Sequence, residues 1–600
     1  MCGIAGTFNL IKTPESHRFS KESILERMSQ RGPDHQSFWS NHKNIMLFHS
    51  RLSILDIDIR SNQPFCDASG RYILVYNGEI YNFQELRKQL NYSWQTQGDT
   101  EVLMQWLIQF GTTRLDQLDG MFAFAFWDCE TEKLLLARDR MGKKPLYYHK
   151  SSDEFIFSSD IRVMLDMEPA LSFTTLERIS TWLFWQTIPG NHTLLTKVMA
   201  LAPGSYMEID QHSQITSSFC TLESPRTIRI DEKDALVEIQ QLMDVSIKKR
   251  LISDVPLACF LSGGIDSSII AGLAKRHTDE LHTFNLSFEE SDYSEHLIAR
   301  EVAKKFKTKH TEVLLSPLDF LASIEEGLSS VDHPSGDGLN TYFLSKRVKE
   351  IGFKVGLSGL GGDEWFLGYD YFHRIEFFKK MESFKFLTKL KFITPNNLLK
   401  PLEIIEHISL GAAAYPFQRI VFDSYTLTQL FTLPNPEFKP NESIFPNNKS
   451  NQSIQEWLYY TQPVLVRDSD QMGMAAGLEI RAPFLDWDVV QFALSLPDHL
   501  KRGKQKKHLL IEAFKDILPE RVYQRPKQGF TLPWEYWMRK ELKAFCQLRI
   551  EQFSQRIDNP AILIEWQKFL EKKNTFTWSR WWAIVSLEDW LVRNNIKIIY

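Results

Sequence analysis

The chain has 600 residues, too many for one hydrophobic core, so two or more domains are expected. Its composition, 43% hydrophobic and 24% charged, is that of a globular protein, and a net charge of −5 without long runs of one sign argues against nucleic acid as the main partner. Six scattered cysteines without a C-x-x-C pair, no leader pattern and no apolar run near the ~20 residues of a membrane span give the expectation of a cytoplasmic protein without disulfides or structural zinc.

The chain opens "MCGIAG". Taken alone, Cys2 is either a small buried residue or a nucleophile. The first third is strand-rich. "YILVYNGEIYNF" (72–83) is a β-type run that the turn dipeptide Asn77-Gly78 is expected to break. "EVLMQWLIQFG" (101–111) has helical apolar spacing and stops at Gly111. "MFAFAFWDCETEKLLLARDRMGKKPLYYH" (121–149) reads as two strands, a Gly-Lys loop and a third strand. This region closes near 210, and the polar stretch 211–229 reads as a linker.

Beyond it strands alternate with helices. The helix "DALVEIQQLMDVSIKKRLI" leads to the strand "VPLACFL", the loop "SGGIDSS" and the helix "IIAGLAKRH". The strand "LHTFNLSF", a helix near 294–306, the strand "HTEVLLS" and the strand "FKVGLSG" (353–359) follow. This grammar means a parallel sheet covered on both faces. From about 370 the pattern is mostly helical. The Trp-rich "FTWSRWWAIVSLEDWLVR" (576–593) reads as a helix packed on its domain rather than on a membrane, because its polar face carries Glu588 and Asp589.

In "FLSGGIDSS" (260–268) a buried strand runs through Ser262-Gly263-Gly264 into a helix. A lone Gly-Gly turn is common, but here the glycines and the helix N-terminus offer backbone donors to an anion. Ser267 adds a hydroxyl, and Asp266 makes sense as a ligand to Mg²⁺ carried on phosphates. "VGLSGLGGDEWFLGY" (355–369) ends a second strand in glycines and carboxylates, where Asp363 is able to share that metal. "KRGKQKKHLL" (501–510) is either a solvated charge run or the source of a lysine for a leaving pyrophosphate.

Together these segments resemble the glutamine-dependent asparagine synthetase family over nearly the whole chain. "MCGIAG", "RGPD" (31–34), "HSRLSILD" (49–56), "NGEIYN" (77–82), "GDTEVL" (98–103) and "ARDRMGKKPLYY" (137–148) are similar to a class II glutamine amidotransferase domain. "LSGGIDSS", "LSGLGGDE", "GLEIRAPFLD" (477–486) and "RPKQGFTLPW" (525–534) are similar to the family's ATP-pyrophosphatase synthetase domain. The resemblance implies an N-terminal αββα sandwich of the N-terminal-nucleophile type over 1–210. It also implies an α/β domain with a parallel sheet and a helical C-terminal part over 230–600.

It further implies roles. With Met1 removed, Cys2 carries a thiol and a free α-amine that titrates near pH 8 and serves as its base. Asn77 and the N–H of Gly78 would stabilise the oxyanion. Arg51, Leu52, Ser53, Ile54, Leu55, Glu79, Gly98 and Asp99 would bind glutamine, Arg51 at its carboxylate and Asp99 at its ammonium. ATP would bind at Leu261, Ser262, Gly263, Gly264, Asp266, Ser267, Leu286, Ser358 and Gly359, with Mg²⁺ on Asp266 and Asp363. Lys507, with Lys504 as alternative, would lie near the α-phosphate. The partners implied are L-glutamine, ATP and a carboxylate acceptor, aspartate by default, with an internal ammonia channel and a homodimer.

Two positions depart from the family pattern. Gln30 stands where a histidine commonly precedes "RGPD", a minor change. Leu360 stands where asparagine synthetases have a glutamate, which removes a charge from the acceptor pocket. The segments around 467–486 and 525–534 resemble more closely those members that amidate uronic acids of surface polysaccharides.

Overall fold

The computed structural model of the protein describes residues 2–10, 19–288, 296–381, 383, 386, 396–409, 414–437, 448–503, 505–524, 532–573 and 576–599.

The N-terminal domain stacks two antiparallel six-stranded sheets. The first runs, edge to edge, Met199–Ala200, Tyr147–Lys150, Glu154–Ser158, Gly3–Asn9, Ile45–Arg51, His35–Ser40. The second runs Gln214–Ser218, Ser205–Ile209, Lys133–Arg138, Gly120–Asp128, Tyr72–Ile80, Phe65–Cys66. Side chains on a strand alternate between faces, and the two faces find different partners. Ile73, Val75, Ala123 and Ala125 meet Ile4 and Leu47 between the sheets. Leu74 and Tyr76 point the other way, onto the helices Phe83–Gln89 and Asp99–Phe110. The first sheet's outer face is covered by Lys21–Ser29 and Ile161–Met167 through Ile24, Met28 and Met164. The result is the four-layer αββα sandwich.

Two local readings change. Asn77-Gly78 does not turn: the strand Tyr72–Ile80 continues through it, with Asn77 opposite Ala123 and Gly78 opposite Phe122. Glycine is needed there for close approach, since a Cβ would lie 2.1 Å from the Met121 carbonyl oxygen. Nor is 211–229 wholly a linker, because Gln214–Ser218 pairs with Ser205–Ile209 as the edge strand.

The C-terminal domain is built on a five-stranded parallel sheet ordered Lys309–Leu315, His282–Phe288, Leu257–Phe260, Val355–Leu357, Glu479–Arg481. The chain builds outward from Leu257–Phe260 in one direction and then returns to add strands on the other side. The order reverses between Leu257–Phe260 and Val355–Leu357, and ligands of such sheets gather beyond the strands' carboxyl ends at that point. Glu479–Arg481 lies within the region read as helical. Three residues are too few for a strand period to register.

The helix Trp578–Arg593 packs inside the domain, with Trp581, Trp582 and Trp590 buried. Glu588 pairs with Arg556 at 2.7 Å, and Asp589 with Arg549 at 2.8 Å and Arg593 at 2.6 Å. After it, Lys597–Ile599 pairs in parallel with Phe173–Thr175 of the N-terminal third. Among the described residues no helix is long and apolar enough to cross a membrane.

Candidate active site

Cys2 precedes the strand Gly3–Asn9 and is buried. Its backbone nitrogen, which would be a free α-amine if Met1 were removed, lies 3.2 Å from Asn77 Oδ1. The other end of that amide, Asn77 Nδ2, is buried with no hydrogen-bond partner. An unpaired buried donor is costly, and a developing oxyanion is what such a donor suits. Burial pushes the Cys2 thiol up, while the Leu52 backbone and the Arg51 charge pull it down.

Asp99 begins the helix Asp99–Phe110. Its Oδ2 accepts from Tyr76 Oη at 2.8 Å and from the Ile80 backbone at 2.9 Å. Burial pushes the carboxyl up to about 6, against these two bonds, which favour its ionised form. Arg51 is largely committed to its own loop. It donates to the Asp58 carbonyl at 2.9 Å, to Asn62 Oδ1 at 2.7 Å and to the Asp56 carbonyl. Three of its five N–H groups are thereby used. Asp56 closes the same loop onto Gly98 and Gln97, its Oδ2 accepting from their amides at 3.0 and 2.7 Å. Leu52 and Ile54 are buried, Ser53 and Leu55 partly so, and the Ser53 amide donates to Asp34 at 2.7 Å.

The loop "SGGIDSS" follows Leu257–Phe260, and the second glycine loop follows Val355–Leu357, so the two flank the point where strand order reverses. Between them lies a cavity of about 310 Å³. Leu261, Ser262, Gly264, Asp266, Ser267, Leu286, Ser358, Gly359, Leu360 and Asp363 line it. Gly263 does not; it has φ of +75°, and a Cβ there would lie 2.9 Å from the Ala299 nitrogen. Its part is to let the loop turn.

The charge run at 501–510 is divided: Arg502 is exposed, but two of its lysines are not. Lys501 is buried with Nζ 2.7 Å from Ser450 Oγ, and Lys507 is buried between two carboxylates. Lys507 Nζ pairs with Asp266 Oδ2 and lies 2.7 Å from Asp363 Oδ1. Burial alone would lower its pKa, but the two carboxylates hold it above the ordinary lysine value. Lys504 lies outside the described residues, as do 525–531 of "RPKQGFTLPW". The two carboxylates converge on one cation and offer only hard oxygens, a donor set that fits Mg²⁺. Among the described residues no cluster of three or more such ligands exists, so phosphate oxygens and water would complete the shell.

Sequence reasoning missed the joint between the two sites. Arg31 Nε donates to the Cys2 carbonyl at 3.3 Å, and Arg31 Nη2 pairs with Asp470 Oδ2 at 2.7 Å. Lys144 Nζ holds Asp470 Oδ1 at 2.9 Å. Nearby, Glu79 of the first site lies 3.3 Å from Arg481, which also pairs with Glu479 at 2.5 Å. Burial raises the Glu79 pKa, with Arg481 opposing. Ser469 and Ile480, the neighbours of these residues, line the cavity of about 310 Å³. The segment around Glu479–Arg481 thus reaches Glu79 directly, and that around Asp470 reaches Cys2 through Arg31.

A family model for asparagine synthase matches residues 238–592, and one for a glutamine amidotransferase domain matches residues 1–220. The chain belongs to the asparagine synthase family. Asparagine synthetase [glutamine-hydrolyzing] 1 of Bacillus subtilis (strain 168) is 29% identical over 576 residues, 92% of this chain and 90% of that one. Asparagine synthetase B of Escherichia coli (strain K12) is 27% identical over 556 residues, 88% of this chain and 82% of that one. Amidase chry2 of Gibberella zeae is 26% identical over 582 residues, 86% of this chain and 85% of that one. As a member of the asparagine synthase family, the enzyme is a glutamine-hydrolysing, ATP-dependent ligase that amidates a carboxylate.

Proposed function

We propose that the enzyme makes L-asparagine from L-aspartate. The Cys2 thiolate, deprotonated by its own α-amine, attacks the side-chain amide of glutamine. A thioester forms, ammonia leaves, and water releases glutamate. Asn77 Nδ2 and the Gly78 N–H stabilise the tetrahedral oxyanion, each such donor being worth about 3 kcal/mol. Asp99 takes the substrate ammonium and Arg51, through its remaining N–H groups, the carboxylate. In the second site aspartate attacks the α-phosphorus of ATP bound at Leu261–Ser267, Leu286 and Ser358–Gly359, and pyrophosphate leaves. Lys507 neutralises charge on the phosphates, and Asp266 and Asp363 would hold the Mg²⁺ that screens it. Ammonia arriving through the interior displaces AMP.

The observation that carries the reading is the division of labour within Asn77: one end holds the nitrogen of Cys2, and the other is an unpaired buried donor. Aspartate as acceptor rests on the names of the relatives. A second reading is favoured by Leu360, which lines the nucleotide cavity as hydrocarbon. Under it, the same machinery amidates another carboxylate, such as a uronic acid. Pyrophosphate release from ATP, assayed with aspartate and with uronic acids in parallel, separates the two. No release with any carboxylate defeats both.

A further inference from the structure

A second cavity, of about 540 Å³, lies in the helical part of the C-terminal domain and belongs to neither site above. Among its described lining residues are four cations, Arg374, Lys400, Arg419 and Arg580, and no carboxylate. Arg419 is held from behind by Glu456, with Nε 2.9 Å from Oε2. Its guanidinium lies 4.3 Å from the Tyr371 ring and 4.1 Å from that of Tyr460, both of which face the cavity. Arg580 is 3.7 Å from Asp423 and donates to the Val421 carbonyl at 2.7 Å. Lys400 Nζ donates to the Ile420 carbonyl at 2.6 Å. Gln418 brings a buried side-chain oxygen without a hydrogen-bond partner.

Glu456 and Asp423 balance Arg419 and Arg580, but Lys400 and Arg374 have no carboxylate partner among the described residues, and an anionic ligand would supply the missing charge. Burial and the Arg580, Arg419 and Arg374 charges push Lys400 down to about 7, which reports the same imbalance. The volume is within the range of sites that enclose small-molecule ligands. The tyrosine rings offer flat apolar walls, their hydroxyls offer donors, and the Gln418 oxygen asks for one. This set matches a ring that is apolar on its faces, hydroxylated at its edge and anionic at one or two positions.

We propose that this cavity binds an anionic sugar, a hexose bearing a carboxylate or a phosphate. The site is wired to the reaction centre. Arg419 also lies 4.6 Å from the Tyr369 ring, and Tyr369 Oη donates to Glu364 Oε1 at 2.9 Å. Glu364 follows Asp363, which pairs with Lys507. Gly368, beside Tyr369, has no room for a Cβ, which would lie 1.9 Å from Asp363 Oδ1. The sugar could enter as the acceptor or as an effector. The acceptor arm rests on the second reading of function above, while the binding claim stands apart from it.

The test is calorimetric titration of the full-length enzyme with D-glucuronate 1-phosphate, D-glucose 1-phosphate and inorganic phosphate. Saturable binding of either sugar phosphate is expected, at least tenfold tighter than inorganic phosphate. Lys400→Met and the mouth variant Arg374→Ala should each weaken it at least fivefold while ATP affinity stays unchanged. Arg374 is exposed, so its variant keeps the test open if the Lys400 variant does not fold. Pyrophosphate release driven by glucuronate 1-phosphate identifies an acceptor. A change in aspartate-driven release caused by glucose 1-phosphate identifies an effector. No saturable binding of either sugar to the wild type, or binding that survives in both variants, overturns the proposal. Aspartate-driven pyrophosphate release, measured without sugar, tests the ligase reading separately.

Discussion

Arg31 of the N-terminal domain and Asp470 of the C-terminal domain form a buried ion pair of 2.7 Å. They stand 439 residues apart in sequence. Arg31 reaches the carbonyl of Cys2, the proposed nucleophile, and Asp470 follows Ser469, which lines the cavity proposed for the nucleotide. Lys144 shares the same carboxylate, so Asp470 has two cationic partners and no exposure to spare. Asp470 lies on the helix Arg467–Ala475, so that helix and the Cys2 carbonyl share Arg31 as a common partner.

Asp470→Asn leaves two buried cations without their counter-ion, which costs about 3–5 kcal/mol. Glutaminase kcat/KM should fall at least tenfold, while pyrophosphate release with ammonia in place of glutamine falls much less. The pH dependence has a definite sign. Burial would raise the Asp470 pKa, but Arg31 and Lys144 hold it below the ordinary aspartate value. Its contribution to stability is present above that value and is lost as pH falls through the depressed folded one. Acid unfolding of the variant should lack that part of the slope, as read by thermal melts from pH 7 to pH 3.

Asn77→Ala removes the unpaired donor and the acceptor for the Cys2 nitrogen together. A fall of about 10²–10³ in glutaminase kcat is expected. Ammonia-dependent synthesis should be nearly unchanged. If both activities fall alike in a folded variant, Asn77 is structural.

Asp99 makes glutamine use sensitive to acid. With its carboxyl pushed up to about 6, protonation begins in the neutral range, and a protonated Asp99 has no charge for the substrate ammonium. Glutaminase kcat/KM should drop below about pH 6. Asp99→Asn should be poor at every pH and lose that limb.

Lys507→Met leaves Asp266 and Asp363 facing each other without the ammonium between them. Pyrophosphate release should be lost and glutamine hydrolysis kept. Mg²⁺ without nucleotide should raise the Tm of the variant more than that of the wild type, because the lysine no longer competes for the place between the carboxylates. Equal shifts would mean that the ion does not bind there.

Much of this was legible in the sequence wherever chemistry is local. The loop "SGGIDSS" carries its own strand, turn and helix, and Cys2 is marked by its position. Gly78 was legible as a special residue but for the wrong reason. Asn-Gly suggests a turn to its neighbours in sequence, whereas the requirement for glycine comes from Met121 on the adjacent strand. Arg31 stood in a quoted motif without a role, because its partner lies in the other domain. By spacing alone Lys507 was one of several lysines; the family resemblance singled it out, with Lys504 as alternative, and the fold sets it between Asp266 and Asp363. Such pairings are set by tertiary contact, and no periodicity announces them.

In the proposed reaction, nitrogen released at Cys2 is delivered to a carboxylate activated at Asp266 and Asp363. The direct measurement supplies L-[amide-¹⁵N]glutamine, ATP, Mg²⁺ and the acceptor in the presence of excess unlabelled ammonium, and reads the amide product by mass spectrometry alongside pyrophosphate. The account expects one pyrophosphate per amide, with ¹⁵N in the product well above its share of total ammonia. Product carrying only unlabelled nitrogen, or ¹⁵N recovered as free ammonium with no pyrophosphate formed, would contradict it.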